Sequence, residues 1–211
     1  MSQGQTSGGG QQSWEGRLQQ FNQEAKQNMP DGAVTPAYKA DRQKIIDMLN
    51  RALAGEWGSF LQYRHHYTMA SDIHMAGIRE IWDEQAGDEL DHAKDFNERI
   101  NQLGGVPAND PKEVARLNPT PFSAGHDIRS MLEDDLVGER ATIEFYNEIV
   151  RTCGFDDNET RAMVEEILLD ENEHANTLSN LLYQYDAATG KQIPDLHEET
   201  LQQPIQQRRA A

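Results

Sequence analysis

The sequence predicts an all-α fold, a four-helix bundle whose second and third helices are joined by a long connection. Four long stretches place apolar residues at steps of three and four, the period of a helix with one buried face. The chain has 211 residues, of which 36% are hydrophobic, which is enough for one domain with a buried core. We therefore divide it into a flexible N-terminal extension at 1–38, a bundle domain at 39–186 and a C-terminal tail at 187–211.

The boundaries of the helices follow from glycine, proline and capping residues. The second helix is predicted to end near Gly104, because glycine favours a helix end and Pro107 cannot continue the helix. A connection of about 104–125 then contains three more prolines, and Asp157 is a candidate N-cap for the fourth helix. The four helices are predicted at about 40–69, 76–103, 127–152 and 158–186.

The N-terminal extension begins with residues 1–12, which are rich in Gly, Gln and Ser and are expected to be disordered. Trp14, Leu18 and Phe21 follow at helical spacing and predict one short amphipathic turn. This turn either docks on a neighbouring chain or has no partner.

The most informative feature is a pattern that occurs twice: a single glutamate, followed about nine helical turns later by Glu-x-x-His. The two glutamates are 33 residues apart in the first copy and 32 in the second. Glutamate and histidine three residues apart lie on the same face of a helix, one turn from each other. All of these residues lie on the same helix faces as the apolar residues spaced at three and four, so they are predicted to point into the bundle. They are Glu56, Glu89 and His92 in the first copy, and Glu139, Glu171 and His174 in the second.

Four carboxylates that converge inside a bundle predict a metal site. Burying an unpaired carboxylate costs several kcal/mol, and like charges would also repel each other. Two divalent cations would balance the four negative charges and leave the two imidazoles neutral as nitrogen ligands. Carboxylate and imidazole ligands suit iron and manganese alike, so the pattern does not separate these metals.

The other five histidines show no such pattern, and we interpret them as ordinary structural or surface residues. His66 follows Tyr63 by about one helical turn, so it could line the bundle, but it is not predicted to be a ligand. The five are His65, His66, His74, His126 and His197.

Charge and composition narrow the classes of function. The net charge is −17, and nearly all of it falls within 39–186, which disfavours contact with nucleic-acid phosphates and favours cations. No apolar run approaches the ~18 residues of a membrane span, and no signal peptide is evident at the N-terminus. The single cysteine, Cys153, cannot form an internal disulfide and fits a reducing compartment, so we expect a cytoplasmic protein.

The motifs resemble those of the ferritin-like superfamily, most closely the bacterioferritins and their Dps-like relatives. The segment 88–93, Asp-Glu-Leu-Asp-His-Ala, is similar to the helix B motif of bacterioferritins. The segment 170–174, Asp-Glu-Asn-Glu-His, is similar to their helix D motif, and Tyr63 resembles the tyrosine beside their di-iron centre. The likeness covers about 40–186 and implies a ferritin-like bundle with one glutamate from each of two helices and Glu-x-x-His from each of the others.

This resemblance implies two iron ions per subunit. Glu89 and Glu171 would bridge the ions, and Tyr63 would be an electron donor or hydrogen-bond partner, although its position also suits a core aromatic residue. Haem is not expected, because haem-binding members carry methionine after the helix B glutamate, where this chain has Leu90. The remaining ligands would divide into Glu56 with His92 at one ion, and Glu139 with His174 at the other.

The expected function is that of a ferroxidase, which oxidises Fe(II) with dioxygen or hydrogen peroxide. In the family, the Fe(III) product is stored as mineral inside a homo-oligomeric shell of 12 or 24 subunits. Two alternatives remain open. One is another di-metal redox enzyme, manganese catalase-like or peroxide-reducing, and the other is a Dps-like DNA-protecting protein, which the lack of a basic N-terminal extension disfavours.

Overall fold

The computed structural model describes residues 13–27, 29–70 and 75–190, and within them the chain forms six α-helices and no strand. The predicted all-α fold is confirmed, and the four predicted helices correspond to the four long ones. The expectations for 1–12, His74 and the tail beyond residue 190, His197 included, lie outside the described residues. The helices are α1 (Trp14–Glu24), α2 (Arg42–Met69), α3 (Ala76–Gln102), α4 (Pro111–Leu117), α5 (Ile128–Cys153) and α6 (Asn158–Thr189), with a short 3₁₀ turn at Met29–Asp31.

Aspartate caps begin the long helices α2, α5 and α6. The side chain of Asp41 accepts a hydrogen bond from the backbone N–H of Lys44, and Asp127 forms a reciprocal capping box with Ser130 at the start of α5. Asp157 caps α6 as the sequence predicts, by accepting from the backbone N–H of Thr160.

The connection between α3 and α5 contains α4, a two-turn helix that the sequence analysis did not assign. Pro111 occupies its first turn, and the side chain of Asp110 caps it by accepting from the backbone N–H of Lys112 at 2.9 Å. Proline suits this position because the first turn needs no N–H donor and its fixed φ is already helical. Here proline begins a helix that packs against α2.

The bundle consists of two helix pairs, α2 with α3 and α5 with α6. Contacts between α2 and α5 and between α3 and α6 join the two pairs. Its apolar interior is divided into two clusters of fully buried side chains. Along α3, Trp82 and Ala86 belong to one cluster, Ala93 and Phe96 belong to the other, and Glu89 lies between them. The polar centre is therefore enclosed by apolar packing at both ends.

Helix α1 has no buried residue. Its three large apolar side chains, Trp14, Leu18 and Phe21, are all exposed, although they share one face as predicted. Among the described residues, no helix has the length and apolar character needed to cross a bilayer.

A buried ion pair ties the end of α3 to the start of α6. The Arg99 guanidinium donates to Asp157 Oδ1 at 2.8 Å and to Thr160 Oγ1 at 2.7 Å. The Tyr38 hydroxyl also donates to Asp157, at 3.0 Å, and burial together with this carboxylate raises the pKa of Tyr38. Asp157 is thus both a helix cap and the buried partner of an arginine, a role that its sequence position did not reveal.

We expect Arg99→Leu to destabilise the protein by about 3–5 kcal/mol, because it leaves Asp157 buried without its counter-charge. Urea unfolding of the metal-free protein, followed by circular dichroism, measures this loss. Arg151→Leu is the matched control, since Arg151 is exposed and pairs loosely with Glu148, and it should cost about 0–1 kcal/mol. Equal losses in the two variants would contradict the assignment.

Candidate metal centre

All six residues of the repeated pattern meet in the middle of the bundle, and none is more than 5% exposed. The helical spacing of the apolar residues therefore predicted correctly that these six side chains point inward. The centre receives one glutamate from each of α2 and α5, and a Glu-x-x-His pair from each of α3 and α6.

The side-chain oxygen and nitrogen atoms form two overlapping groups of four residues. Within each group, the potential ligand atoms lie within 4.8 Å of one another, a separation that one metal ion can span. Glu89 and Glu171 belong to both groups, so their carboxylates lie between the two positions. The first group is Glu56, Glu89, His92 and Glu171, and the second is Glu89, Glu139, Glu171 and His174.

Several buried polar atoms at this centre have no hydrogen-bond partner. They are Oε1 of Glu89, both carboxylate oxygens of Glu171, and Nδ1 of His92 and of His174. A buried polar group without a partner costs about 1–3 kcal/mol, so five such atoms in one place need an explanation. Two cations among them would satisfy all five, and the residues therefore fit a pair of metal ions.

Two aspartates orient the histidines. Nε2 of His92 lies 3.3 Å from Asp170 Oδ2, and Nε2 of His174 lies 3.2 Å from Asp88 Oδ2. With the Nε2–H donated to a carboxylate, the Nδ1 lone pair faces the centre, which is the tautomer a metal ligand needs. Sequence analysis did not identify this role, although each aspartate directly precedes a glutamate of the pattern and the two copies match in this respect too.

Two tyrosines bind the single glutamates across the bundle. The Tyr63 hydroxyl on α2 donates to Glu139 on α5, and the Tyr146 hydroxyl on α5 donates to Glu56 on α2. Each tyrosine follows the glutamate of its own helix by seven residues. The sequence analysis singled out Tyr63 but not Tyr146, and the repeat of this spacing in the sequence is the signal that could have identified it.

Burial changes the protonation of the metal-free centre. Burial, with the charge of Glu89 added, raises the pKa of Glu56 to about 8, and the same two causes raise the pKa of Glu171 to about 7. Burial also raises the pKa of Glu89 and of Glu139. The pKa of His92 is raised as well, because the nearby carboxylates of Glu171, Glu56 and Glu89 outweigh the opposing effect of burial. Without metal, the centre therefore holds protons that cations would displace.

Two cavities border the centre. Between α3 and α6, beside His174, lies a cleft of about 190 Å³ with an acidic lining that includes Glu84, Asp88, Asp170 and Glu173. Between α2 and α5, a cavity of about 20 Å³, room for about one water, touches Tyr63 and Glu139. The acidic cleft has the charge that attracts cations.

We expect the metal-free protein to lose stability as the pH rises from about 4.5 to about 8. The folded state keeps a proton on Glu56 that the unfolded chain releases near its ordinary pKa of 4.5, so this contribution is complete below that pH and is lost through about 8. Loss of the Glu171 proton lowers stability in the same way as the pH rises to about 7. Loss of the His92 proton does so as the pH rises above 6.5, the ordinary pKa of histidine.

Melting temperatures of the metal-free protein across this pH range test the expectation. The control is Glu56→Gln with Glu171→Gln, which removes both titrations and should flatten the curve relative to the unaltered protein. A melting temperature that rises with pH relative to this control would refute the sign of the effect.

Comparison with known proteins places this bundle in a family. The chain matches the family model for the ferritin-like domain over residues 46–188. It is 34% identical over 146 residues to a nutrient stress-induced DNA-binding protein of a Synechococcus strain, covering 66% of this chain and 81% of that protein. It is 30% identical over 145 residues to a bacterioferritin of Desulfovibrio desulfuricans, covering 68% of this chain and 77% of that one.

The fold agrees with these sequence relatives. The described bundle is similar to a dodecameric thioferritin of Bacteroides fragilis, with a TM-score of 0.69 and 29% identity, covering 72% of this chain and 92% of that one. It is also similar to the di-iron bacterioferritin of Desulfovibrio desulfuricans, with a TM-score of 0.63 and 27% identity, over 69% and 82% of the two chains. The predicted resemblance is thus confirmed, and the chain belongs to the ferritin-like family, with bacterioferritins and Dps-like proteins among its relatives.

Proposed function

We propose that this protein is a ferroxidase that oxidises Fe(II) with dioxygen or hydrogen peroxide, for iron storage or detoxification. The observation that carries the proposal is the pair of overlapping four-residue groups that share Glu89 and Glu171. Five buried oxygen and nitrogen atoms without partners face the space where two ions would lie. Carboxylates and imidazoles are ligands that suit iron, and carboxylates favour the harder Fe(III) product.

The chemistry is a two-electron transfer from two substrate ions. Two Fe(II) ions each give one electron, so dioxygen with two protons becomes hydrogen peroxide, or hydrogen peroxide with two protons becomes two water molecules. The protein's own residues hold the substrate ions side by side and exclude bulk water. The protons that Glu56 and Glu171 carry in the metal-free centre leave when the ions bind.

Tyr63 and Tyr146 hold the single glutamates in place. Each hydroxyl donates to a carboxylate oxygen of the opposite helix pair. Burial and the neighbouring carboxylates raise the pKa of both tyrosines, so each hydroxyl keeps its proton and remains a donor. Tyr63 would in addition be able to give an electron to the oxidant.

A shell of identical subunits would store the product. The Bacteroides fragilis relative is dodecameric, and we propose that this chain likewise assembles into a homo-oligomer of 12 or 24 subunits. The acidic cleft beside His174 would then receive or release iron ions. We propose no haem, because Leu90 next to Glu89 has no lone pair to give to haem iron.

We expect the purified metal-free protein, mixed with Fe(II) in air, to bind many irons per subunit that co-elute with a large oligomer. Glu89→Gln with Glu171→Gln should slow this oxidation strongly, because both groups of ligands lose their shared carboxylates. Absorbance of Fe(III) and size-exclusion chromatography with iron detection provide the two readouts. The control is Glu98→Gln with Glu166→Gln, which removes the same charge from exposed positions of the same two helices and should leave the rate unchanged.

The same experiment separates the proposal from another di-metal redox enzyme. Uptake that stops near two irons per chain, without mineral, would overturn the storage function and favour a catalase-like or peroxide-reducing activity. Equal rates in the two double variants would overturn the assignment of the centre itself.

DNA binding is the second candidate, because two relatives are named DNA-binding proteins. The net charge of −17 opposes direct contact with phosphates. A gel-shift titration with linear DNA, with and without Mg²⁺, tests it. Retention only with Mg²⁺ would indicate cations that bridge two acidic surfaces, and retention without Mg²⁺ would contradict the charge argument.

A further inference from the structure

A second polar cluster lies buried beside the metal centre, and the ferroxidase ligands do not include it. Trp82 on α3 is fully buried, and its indole N–H donates to Asp135 Oδ2 at 2.8 Å. Asp135 on α5 is itself buried, one helical turn before Glu139. A buried tryptophan hydrogen-bonded to a buried carboxylate is an electrostatic arrangement that hydrophobic packing alone does not require.

His66 completes this cluster. Its Nδ1 lies 2.9 Å from Asp135 Oδ2 and its Nε2 lies 3.0 Å from the backbone oxygen of Ser123. The side-chain amide of Gln62 donates to the other oxygen of Asp135 at 2.8 Å. Both oxygens of this buried carboxylate are therefore held in place by side chains.

The other half of the bundle lacks this cluster. Trp82 lies seven residues before Glu89, Asp135 lies four before Glu139, and His66 lies ten after Glu56. The positions with the same spacing from the corresponding glutamates of the other half are Val164, Ala52 and Ile149, which pack as one apolar cluster. Apolar residues therefore fill the matching positions of the other half, and the polar trio is a feature of one half of the bundle.

The surroundings of Trp82 favour loss of an electron. A carboxylate in contact with the indole stabilises positive charge on the ring, and this stabilisation is larger in a buried, low-dielectric setting than in water. The indole N–H of Trp57 instead donates to the neutral amide of Asn109, and Trp14 is exposed on α1. Within the described residues, Trp82 is the only tryptophan with a hydrogen bond to a carboxylate.

Trp82 is also close enough to the metal centre to exchange electrons with it. Seven residues of helix separate it from Glu89, a rise of about 10 Å. Trp82 and Tyr63 belong to the same buried cluster, and Tyr63 hydrogen-bonds to Glu139. A continuous path of packed side chains therefore joins the indole to the ligands.

We propose that Trp82 is a one-electron donor to the metal centre, used when hydrogen peroxide arrives while only one Fe(II) is bound. This inference rests on the proposed ferroxidase function. One electron comes from Fe(II) and one from Trp82, the O–O bond of peroxide breaks, and two water molecules form. The products are Fe(III), a neutral indolyl radical on Trp82 and a protonated Asp135, and the two protons that enter the water molecules come from solvent.

Asp135 and His66 position the indole. When Trp82 loses an electron, its N–H proton passes to Asp135, so no positive charge remains on the buried ring. Without a second electron, a single Fe(II) would convert peroxide into hydroxide and a free hydroxyl radical.

Freeze-quench electron paramagnetic resonance tests this proposal on the full-length protein. Metal-free protein receives one Fe(II) per chain without oxygen, is mixed with hydrogen peroxide and is frozen, with ring-deuterated tryptophan to identify the radical. We expect a tryptophan radical that Trp82→Phe abolishes and Trp57→Phe leaves intact, although Trp57 adjoins the ligand Glu56. A spin trap should detect more hydroxyl radical in Trp82→Phe than in Trp57→Phe.

Mass spectrometry of the unaltered protein provides a readout that needs no variant. After repeated turnover, oxidation should accumulate on Trp82 before Trp14, although Trp82 is fully buried and Trp14 is 63% exposed. A diffusing oxidant would attack Trp14 first, and that order would overturn the proposal. A tryptophan radical that survives Trp82→Phe, or normal Fe(II) oxidation with no tryptophan radical, would overturn it while leaving the ferroxidase function in place. Absence of Fe(II) oxidation would overturn both.

Discussion

Four carboxylates buried together at the centre of one helical bundle are the constraint on which the rest of the structure depends. Water cannot solvate them there, so they must be either protonated or neutralised by cations. The metal-free protein uses the first solution, since burial raises the pKa of Glu56 to about 8 and that of Glu171 to about 7. The apolar clusters at both ends hold the helices together in either case, so the centre can exchange protons for metal without unfolding.

The two halves of the bundle repeat each other, yet neither half could form the centre alone. Every contact that orients a ligand crosses between the halves. Tyr63 and Tyr146 each reach the glutamate of the opposite pair, and each histidine meets an aspartate from the other half. Because the orienting contacts form only when the α2–α3 and α5–α6 pairs pack together, assembly of the site and folding of the bundle are one event.

Helical periodicity was sufficient to predict the four long helices and the inward direction of the six central residues, because both depend on spacing along a single helix. Contacts between different helices could not be predicted from this spacing. The spacing of Tyr146 and the aspartate before each glutamate were visible in the sequence, but their partners lie 78 to 90 residues away. Helix α4 was missed because proline can begin a helix as well as end one. The cluster of Trp82, Asp135 and His66 was missed because no single-helix pattern marks it.

The shared ligands also give a reason for an electron donor beside a centre that holds only one ion. Glu89 and Glu171 belong to both metal positions, so the first ion to bind can use both shared carboxylates. When ions bind one after the other, the centre passes through a state with one ion, and peroxide that meets this state finds one electron where it needs two. Trp82, whose indole is held by the buried carboxylate of Asp135, lies near the centre and can supply the missing electron. The matching positions at the other end of the bundle hold apolar residues. The asymmetry of an otherwise repeated bundle then follows from the chemistry of its incompletely filled centre.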